Sequence, residues 1–248
     1  MIRIITLALG VVFSLSGWAN SPLRIDLMPQ ALTLQYPQPV RLDKALSDIE
    51  ANSQQHSIHR YPLMNQLFNL NKQSIADRKQ QHVIEELNAA ILRFPEQKSN
   101  LISLANLVAS WKLGYRETIS LDYDAVRLDA AKNPLLRGHF RFQTFVRPTT
   151  IHISGLVASP SDATILPGYA ASHYLNHTLK LSGADKSFVW IIYPNGETKQ
   201  VGYAYWNDQH TALPPGSTLF IGFDDKNTIL AGLEKEIVAL IGWRVDIE

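Results

Sequence analysis

The stretch PTTIHISGLVASPSDATILPGYAASHYLNH (148–177) changes its periodicity part-way along. Ile151 and Ile153 alternate with polar neighbours, the mark of a strand with one buried face. Ser159-Pro160-Ser161-Asp162 has turn composition, Ala163–Leu166 reads as a short second strand, and Pro167-Gly168 breaks it. From Tyr169 to Leu175 the spacing is helical. The same order occurs in PLRIDLMPQALTLQYPQPVRLDKALSDI (22–49). There Leu23, Ile25 and Leu27 alternate, Met28-Pro29-Gln30 turns the chain, and Ala31–Gln35 is a second strand. Pro37 and Pro39 end it, and Leu42, Ala45, Leu46 and Ile49 share a helical face from Arg41 to Ile49. Residue identity between the stretches is slight. Their common order of elements predicts two copies of one ββα-type unit, an α+β fold.

Residues 65–112 read differently. NQLFNLNKQSIADRKQQHVIEELNAAILRF (65–94) places Ile75, Val83, Ile84, Leu87 and Ile91 at spacings of three and four, Pro95 interrupts, and LISLANLVASWKL (101–113) resumes the pattern. A helical hairpin is predicted here. It is inserted into the first unit, since strand-like sequence resumes at Thr118–Leu121 and at His139–Val146. Further on, FVWIIY (188–193) and TKQVG (198–202) form a hairpin around Asn195-Gly196, both of which tolerate positive φ. Val189, Ile191 and Tyr193 alternate toward a core. Nothing in this hairpin is a nucleophile with a neighbouring base, so it reads as scaffold. Pro214-Pro215-Gly216 is a rigid turn and Leu219–Phe223 a short apolar strand. KNTILAGLEKEIVALIGWRVDIE (226–248) is an amphipathic helix, with Ile229, Leu233, Ile237, Leu240 and Ile241 on one side and Glu234 and Glu236 on a charged side. Its docking surface, whether this protein, a partner or a membrane, is left open by the pattern.

Composition narrows the function. A net charge of +1 with scattered Lys and Arg gives no electrostatic basis for nucleic-acid binding. The absence of cysteine excludes disulfides, a thiol nucleophile and Cys-metal sites. MIRIITLALGVVFSLSGWAN (1–20) has a basic start at Arg3, an apolar run from Ile4 to Leu15 and small residues at Gly17 and Ala19. That is a cleavable signal peptide over 1–19, its apolar run too short to cross the ~30 Å core of a bilayer. A periplasmic protein with no transmembrane span in its mature chain is expected.

Candidate chemistry is sparse. His173 and His177, four apart on a helix, are half of a zinc site, and His56-x-x-His59 lies in a loop. Spacing supplies no third ligand to either pair, so no metal or cofactor is expected. Asp122 and Asp124 would face the same way on a strand, but in SLDYDAVRL (120–128) they read as strand-end and turn residues. No GxSxG elbow, phosphate-binding loop or dinucleotide fingerprint occurs, which favours a non-enzyme. Arg116 follows the second hairpin helix, where the chain re-enters the sheet. Its planar fork of donors suits a carboxylate or sugar hydroxyls, or the helix C-terminus behind it. In YWNDQH (205–210), Trp206 offers a face for a sugar ring, and Asn207 and His210 offer hydroxyl partners. Because large aromatics are usually buried anchors, the favoured reading is that Trp206 packs under the Pro214-Pro215 turn.

The runs LDYDAVRLDAAKNPLLRGHFRFQTFVRPTTIHISG (121–155), LKLSGADKSFVWIIYPNGETKQVG (179–202) and WNDQHTALPPGSTLFIGF (206–223) resemble the capsule-biosynthesis GfcC family. Those periplasmic proteins are associated with export of group 4 and O-antigen capsules. The likeness extends over roughly 22–243. It implies two β-grasp (SLBB-like) domains akin to those of outer-membrane polysaccharide exporters. The N-terminal one spans 20–148 with the hairpin at about 65–112, the C-terminal one 149–223, and the amphipathic helix 224–248. It also implies that Arg116 belongs to a surface pocket. The function implied is a non-enzymatic accessory in capsule or exopolysaccharide assembly or export, with the polymer or an outer-membrane exporter as partner. A polysaccharide-modifying enzyme and a purely structural adaptor are the alternatives.

Overall fold

Alternating burial along Leu23–Met28 makes strand β1, with Leu23, Ile25 and Leu27 inward, and β2 (Leu32–Tyr36) returns antiparallel to it. These belong to a computed structural model that describes residues 22–28, 30–53, 58–224 and 227–245. The proposed signal peptide and His56 lie outside the described residues. A short β3 (Val40–Arg41) leads into α1 (Leu42–Asn52), then β4 (Gln66–Asn69). Two helices follow, α2 (Gln73–Arg93) and α3 (Lys98–Ser110), and then α4 (Tyr123–Leu128), β5 (Leu135–Leu136) and β6 (Gly138–Gln143). The first sheet has the order β2-β1-β6-β4, with β1 and β6 parallel; β3 and β5 pair separately.

The second half repeats the plan. Strands β7 (Thr150–Gly155) and β8 (Ser161–Thr164) form a hairpin, followed by α5 (Ala171–Asn176), β9 (Phe188–Ile192), β10 (Thr198–Gly202) and β11 (Thr218–Ile221). The order is β10-β9-β11-β7-β8, again with the opening and closing strands parallel at the centre. Where β7 ends beside β11, Gly155 has φ +93°, and a Cβ there would lie 2.2 Å from the Ile221 carbonyl oxygen. That position needs glycine on two independent grounds.

Two expectations fail locally. Gln66–Asn69 is a strand, not the start of a helix. All four of its residues are buried, so it shows no alternation to read. Thr118–Leu121 is not a strand. After a single bridge between Arg116 and Phe68 the chain leaves the sheet, and Leu121 is buried without a ladder.

The two sheets sit over separate cores. Leu23, Ile25, Leu42, Leu46, Val126 and Phe142 belong to the first. The second holds Ile153, Ile191 and Leu219 together with Val83 and Leu87 of α2 and Leu101 and Leu104 of α3. Helices α2 and α3, which lie between β4 and β6 in sequence, therefore pack into the second core.

The last helix, α6 (Thr228–Ile241), opens on Asn227, whose side chain accepts from the Ile229 amide. It buries Leu230, Leu233, Ile237, Val238, Leu240 and Ile241 in that same core. The chain after it is tied down too: the Gly114 amide donates to the Trp243 carbonyl at 2.9 Å, and the Val245 amide to that of Lys112 at 3.0 Å. Trp243 packs on Tyr115, ring centroids 5.0 Å apart. The helix docks on its own protein. Glu234 is not on a charged face: it is buried, and its carboxylate accepts from the Phe223 amide at 2.9 Å and from the Trp190 indole N–H. Gly222 has no side chain because that carboxylate fills the space.

Burial pushes the Glu234 carboxyl above its ordinary value of 4.5, against the hydrogen bonds from Phe223 and Trp190 that favour the ionised form. Between the unfolded and the raised folded value, the native chain binds more protons than the unfolded one. The contribution of this group to stability is therefore fully present below the unfolded value and declines as pH rises through the folded one. Replacing Glu234 by Gln leaves one N–H facing a donor and is expected to cost about 1–3 kcal/mol. Urea denaturation of both proteins should give a larger difference at pH 4 than at pH 8. A difference that grows with pH would contradict this account of the buried carboxyl.

Candidate functional site

Arg116 is placed by backbone pairing. The Asn69 amide donates to the Tyr115 carbonyl at 2.8 Å and the Glu117 amide to that of Leu67 at 2.9 Å, which lays residues 115–117 along β4. The Arg116 side chain is then carried inward, 6% exposed. Its Nη2 donates to the Pro194 carbonyl at 2.7 Å and to that of Asn65 at 3.4 Å; Nη1 donates to Gly242 at 3.3 Å. One guanidinium thus joins the residue before β4, the β9–β10 turn and the end of α6. The helix it caps is α6, not α3 behind it, and a cation suits that C-terminus. Among the described residues no carboxylate lies within ion-pair distance of it. Burial lowers its pKa to about 10, so it remains charged at neutral pH.

The β9–β10 turn is shaped for this contact. The Gly196 amide donates to the Tyr193 carbonyl at 2.8 Å, and the Asn195 side chain accepts from the Glu197 amide at 3.1 Å. Gly196 has φ +89°, while Asn195 is not in the positive region. Tyr193-Pro194-Asn195-Gly196 is therefore a Pro-led turn closed by a left-handed glycine rather than a pair of positive-φ residues. A Cβ on Gly196 would sit 3.5 Å from Arg116 Nη1, so the bare glycine covers the guanidinium.

Two cavities share Arg116 as a wall. One, of about 370 Å³, lies between Trp190, Trp243, Thr118, Thr198 and Lys235. The other, of about 580 Å³, is bounded by Tyr61, Glu117, Asp122, Asn195 and Glu197. The hairpin read as scaffold therefore lines both. Trp190, Asn195, Thr198, Lys235 and Trp243 were missed by sequence reasoning. The one local signal was the Pro-Asn-Gly turn, whose glycine bares a surface.

The other sequence candidates lie elsewhere, and neither cavity includes residues 203–210. Trp206 is 72% exposed, so it does not pack under the Pro214-Pro215 turn. That turn instead meets the first unit, with Tyr61 donating its hydroxyl to the Pro215 carbonyl at 2.9 Å. Asn207 is structural: its Oδ1 accepts from the Ala204 amide at 2.9 Å and its Nδ2 donates to Ser187 at 3.1 Å. His210 adopts φ +45° and exposes its ring. His173 and His177 have ring centroids 5.6 Å apart, with the Tyr169 ring tilted at 48° against His173, centroids 4.1 Å apart. No cluster of three metal-ligating side chains occurs among the described residues. His59 meets the edge of Tyr123. Asp122 is the N-cap of α4, accepting from the Asp124 and Ala125 amides at 3.0 and 3.3 Å; Asp124 pairs with Arg127. Both are helix-start residues rather than strand ends.

Two family models match this chain: capsule biosynthesis GfcC, N-terminal, over residues 19–149, and capsule biosynthesis GfcC C-terminal, over 159–246. The chain belongs to the capsule biosynthesis GfcC family. It is also 35% identical over 123 residues to the uncharacterized protein YjbG of Escherichia coli (strain K12), a match spanning 50% of this chain and 50% of that protein. In this GfcC-family chain the span of the N-terminal model contains α2 and α3, the helices whose side chains lie in the second core. Arg116 falls in the N-terminal span, and Pro194 and Gly242, which it joins, in the C-terminal one. Membership of the family points to a role in capsule assembly. Among the described residues, no helix is long and apolar enough to cross a membrane.

Proposed function

We propose that the protein is a periplasmic, non-enzymatic accessory of capsule or exopolysaccharide assembly, and that it contacts an acidic polymer at the smaller cavity beside Arg116, whose lining carries Lys235 and no carboxylate. The observation that carries this reading is a buried, charged guanidinium whose partners are main-chain carbonyls. A sugar carboxylate would supply the missing counter-charge, with Lys235 at the rim and Trp190 and Trp243 as stacking walls. We read both units as β-grasp modules of the kind found in outer-membrane exporters. The support is a hairpin, a helix and a closing strand parallel to the first in each.

A polysaccharide-modifying enzyme is the second reading, because Glu117, Asp122 and Glu197 line the larger cavity. Against it, Glu117 Oε1 is held by Lys72 and Asn69, each at 2.8 Å, and Asp122 is spent on its cap. Calorimetric titration with oligogalacturonate tests both. Lys235→Glu, which leaves the Arg116 contacts untouched, should weaken binding about ten-fold. Release of reducing ends during incubation would favour the enzyme, and no binding by the wild type would leave the adaptor.

A further inference from the structure

A second feature stands apart from Arg116. After β10 the chain makes a turn from Ala204 to Asn207, with Tyr205 and Trp206 at its apex. Tyr205 is fully exposed and Trp206 72% exposed. Large aromatic side chains normally recover burial in the fold, and these two recover almost none. The turn beneath them is rigid. The Asn207 amide donates to the Ala204 carbonyl at 2.9 Å and its side chain bridges Ala204 and Ser187. The Gln209 amide donates to Gly202 at 3.2 Å, and the Tyr203 hydroxyl to the Asp185 carbonyl at 2.6 Å. Gly202 is side-chain-free because Asn207 occupies that space, and its strand partner Phe188 is also exposed.

We infer that the Tyr205–Trp206 apex is a stacking site for a neutral hexopyranose polymer. Flat aromatic faces take the C–H face of a pyranose ring, and a turn already held in place loses little entropy on binding. Groups that bond hydroxyls follow in the chain: the exposed His210 imidazole and the exposed Gln209 side-chain amide. The charges around the turn are balanced. The Asp208 carboxylate accepts from the His210 amide at 2.8 Å and lies 3.7 Å from the His210 ring, and the Lys180 ammonium sits 5.4 Å from the centre of the Tyr203 ring. With no excess of cations to hold a uronic acid or an anionic lipid headgroup, an uncharged sugar is the ligand that fits. Where the smaller Arg116 cavity suits an acidic residue, the apex suits a neutral one. The inference rests on the polysaccharide reading for its ligand class but not on capsule as the polymer.

The test is affinity electrophoresis of the purified full chain in gels containing dextran, mannan or galactan, with polygalacturonate as the acidic comparison. At least one neutral polymer should retard the wild type. Tyr205→Ala with Trp206→Ala should raise the apparent Kd about ten-fold or more, while Trp206→Phe keeps most of the retardation. Because both rings are in solvent, these variants should keep the wild-type melting temperature. No retardation in any neutral polymer, or retardation untouched by the double substitution, would overturn the inference. So would Trp206-dependent sedimentation with phosphatidylglycerol vesicles, which would make the apex a membrane contact. Retardation in a protein whose gene proves dispensable for capsule would leave the apex standing and remove the capsule reading. Absent retardation with capsule still dependent on the gene would do the reverse.

Discussion

Ending the chain after Asn227 is expected to leave no soluble protein. The segment removed is α6, whose Leu230, Leu233, Ile237, Val238, Leu240 and Ile241 are all in the second core. Burying a side chain of that size is worth about 1.5–3 kcal/mol, so six of them, about 9–18 kcal/mol, are as large as the ~5–15 kcal/mol that holds a typical domain together. The loss also uncovers Val83 and Leu87 of α2, which share that core, and removes the carboxylate between Trp190 and Phe223. Expression of the truncated chain, followed by sedimentation and circular dichroism, measures the outcome. A soluble truncated protein with a cooperative unfolding transition would mean that α6 is an arm for a partner rather than part of the fold.

Replacing Arg116 by Ala is expected to cost about 2–4 kcal/mol. Hydrogen bonds from a charged donor contribute about 1.5–3 kcal/mol each when removal strands the acceptor, and the neighbouring cavities let water recover part of that. Arg116→Lys, which offers one donor centre in place of a fork, should lose roughly half as much. Urea denaturation of the three proteins separates these values. If Arg116→Ala were as stable as the wild type, the clamp between Asn65, Pro194 and Gly242 would be incidental. The guanidinium would then be free to serve a ligand alone. This matters for any experiment in cells: a failure of Arg116→Ala to support function reports stability and ligand contact together. Lys235→Glu isolates the second.

The repeated hairpin-and-helix plan was legible because β1, β7 and α1 each bury one face, and one-faced burial leaves a periodic trace in sequence. Elements buried all round left no such trace. Gln66–Asn69 therefore merged into the helical run that follows it. Glu234 looked like surface because a carboxylate usually is, and nothing local announces that the Trp190 indole and Phe223 amide wait for it. Trp206 looked like core for the converse reason. The Arg116 site was legible by one residue. Its other parts come from positions near 65, 194 and 242, and only the tertiary fold brings those together. The allegiance of α2 and α3 to the second core was likewise invisible, since it depends on what packs against their apolar faces.

The arrangement gives each half of the molecule a share in the walls around Arg116. The first unit supplies Arg116, the second supplies the Pro194 turn, and α6 supplies Gly242 and the Lys235 rim.

The most direct test of the account is the polysaccharide on the surface of cells that lack this gene. The account predicts that surface polymer falls, that cell-retained polymer does not fall with it, and that the wild-type gene restores the surface pool. Lys235→Glu, accumulating to wild-type levels, should restore it only in part. Unchanged surface polymer in a strain with no second copy of the gene would contradict the capsule role and leave the fold without it.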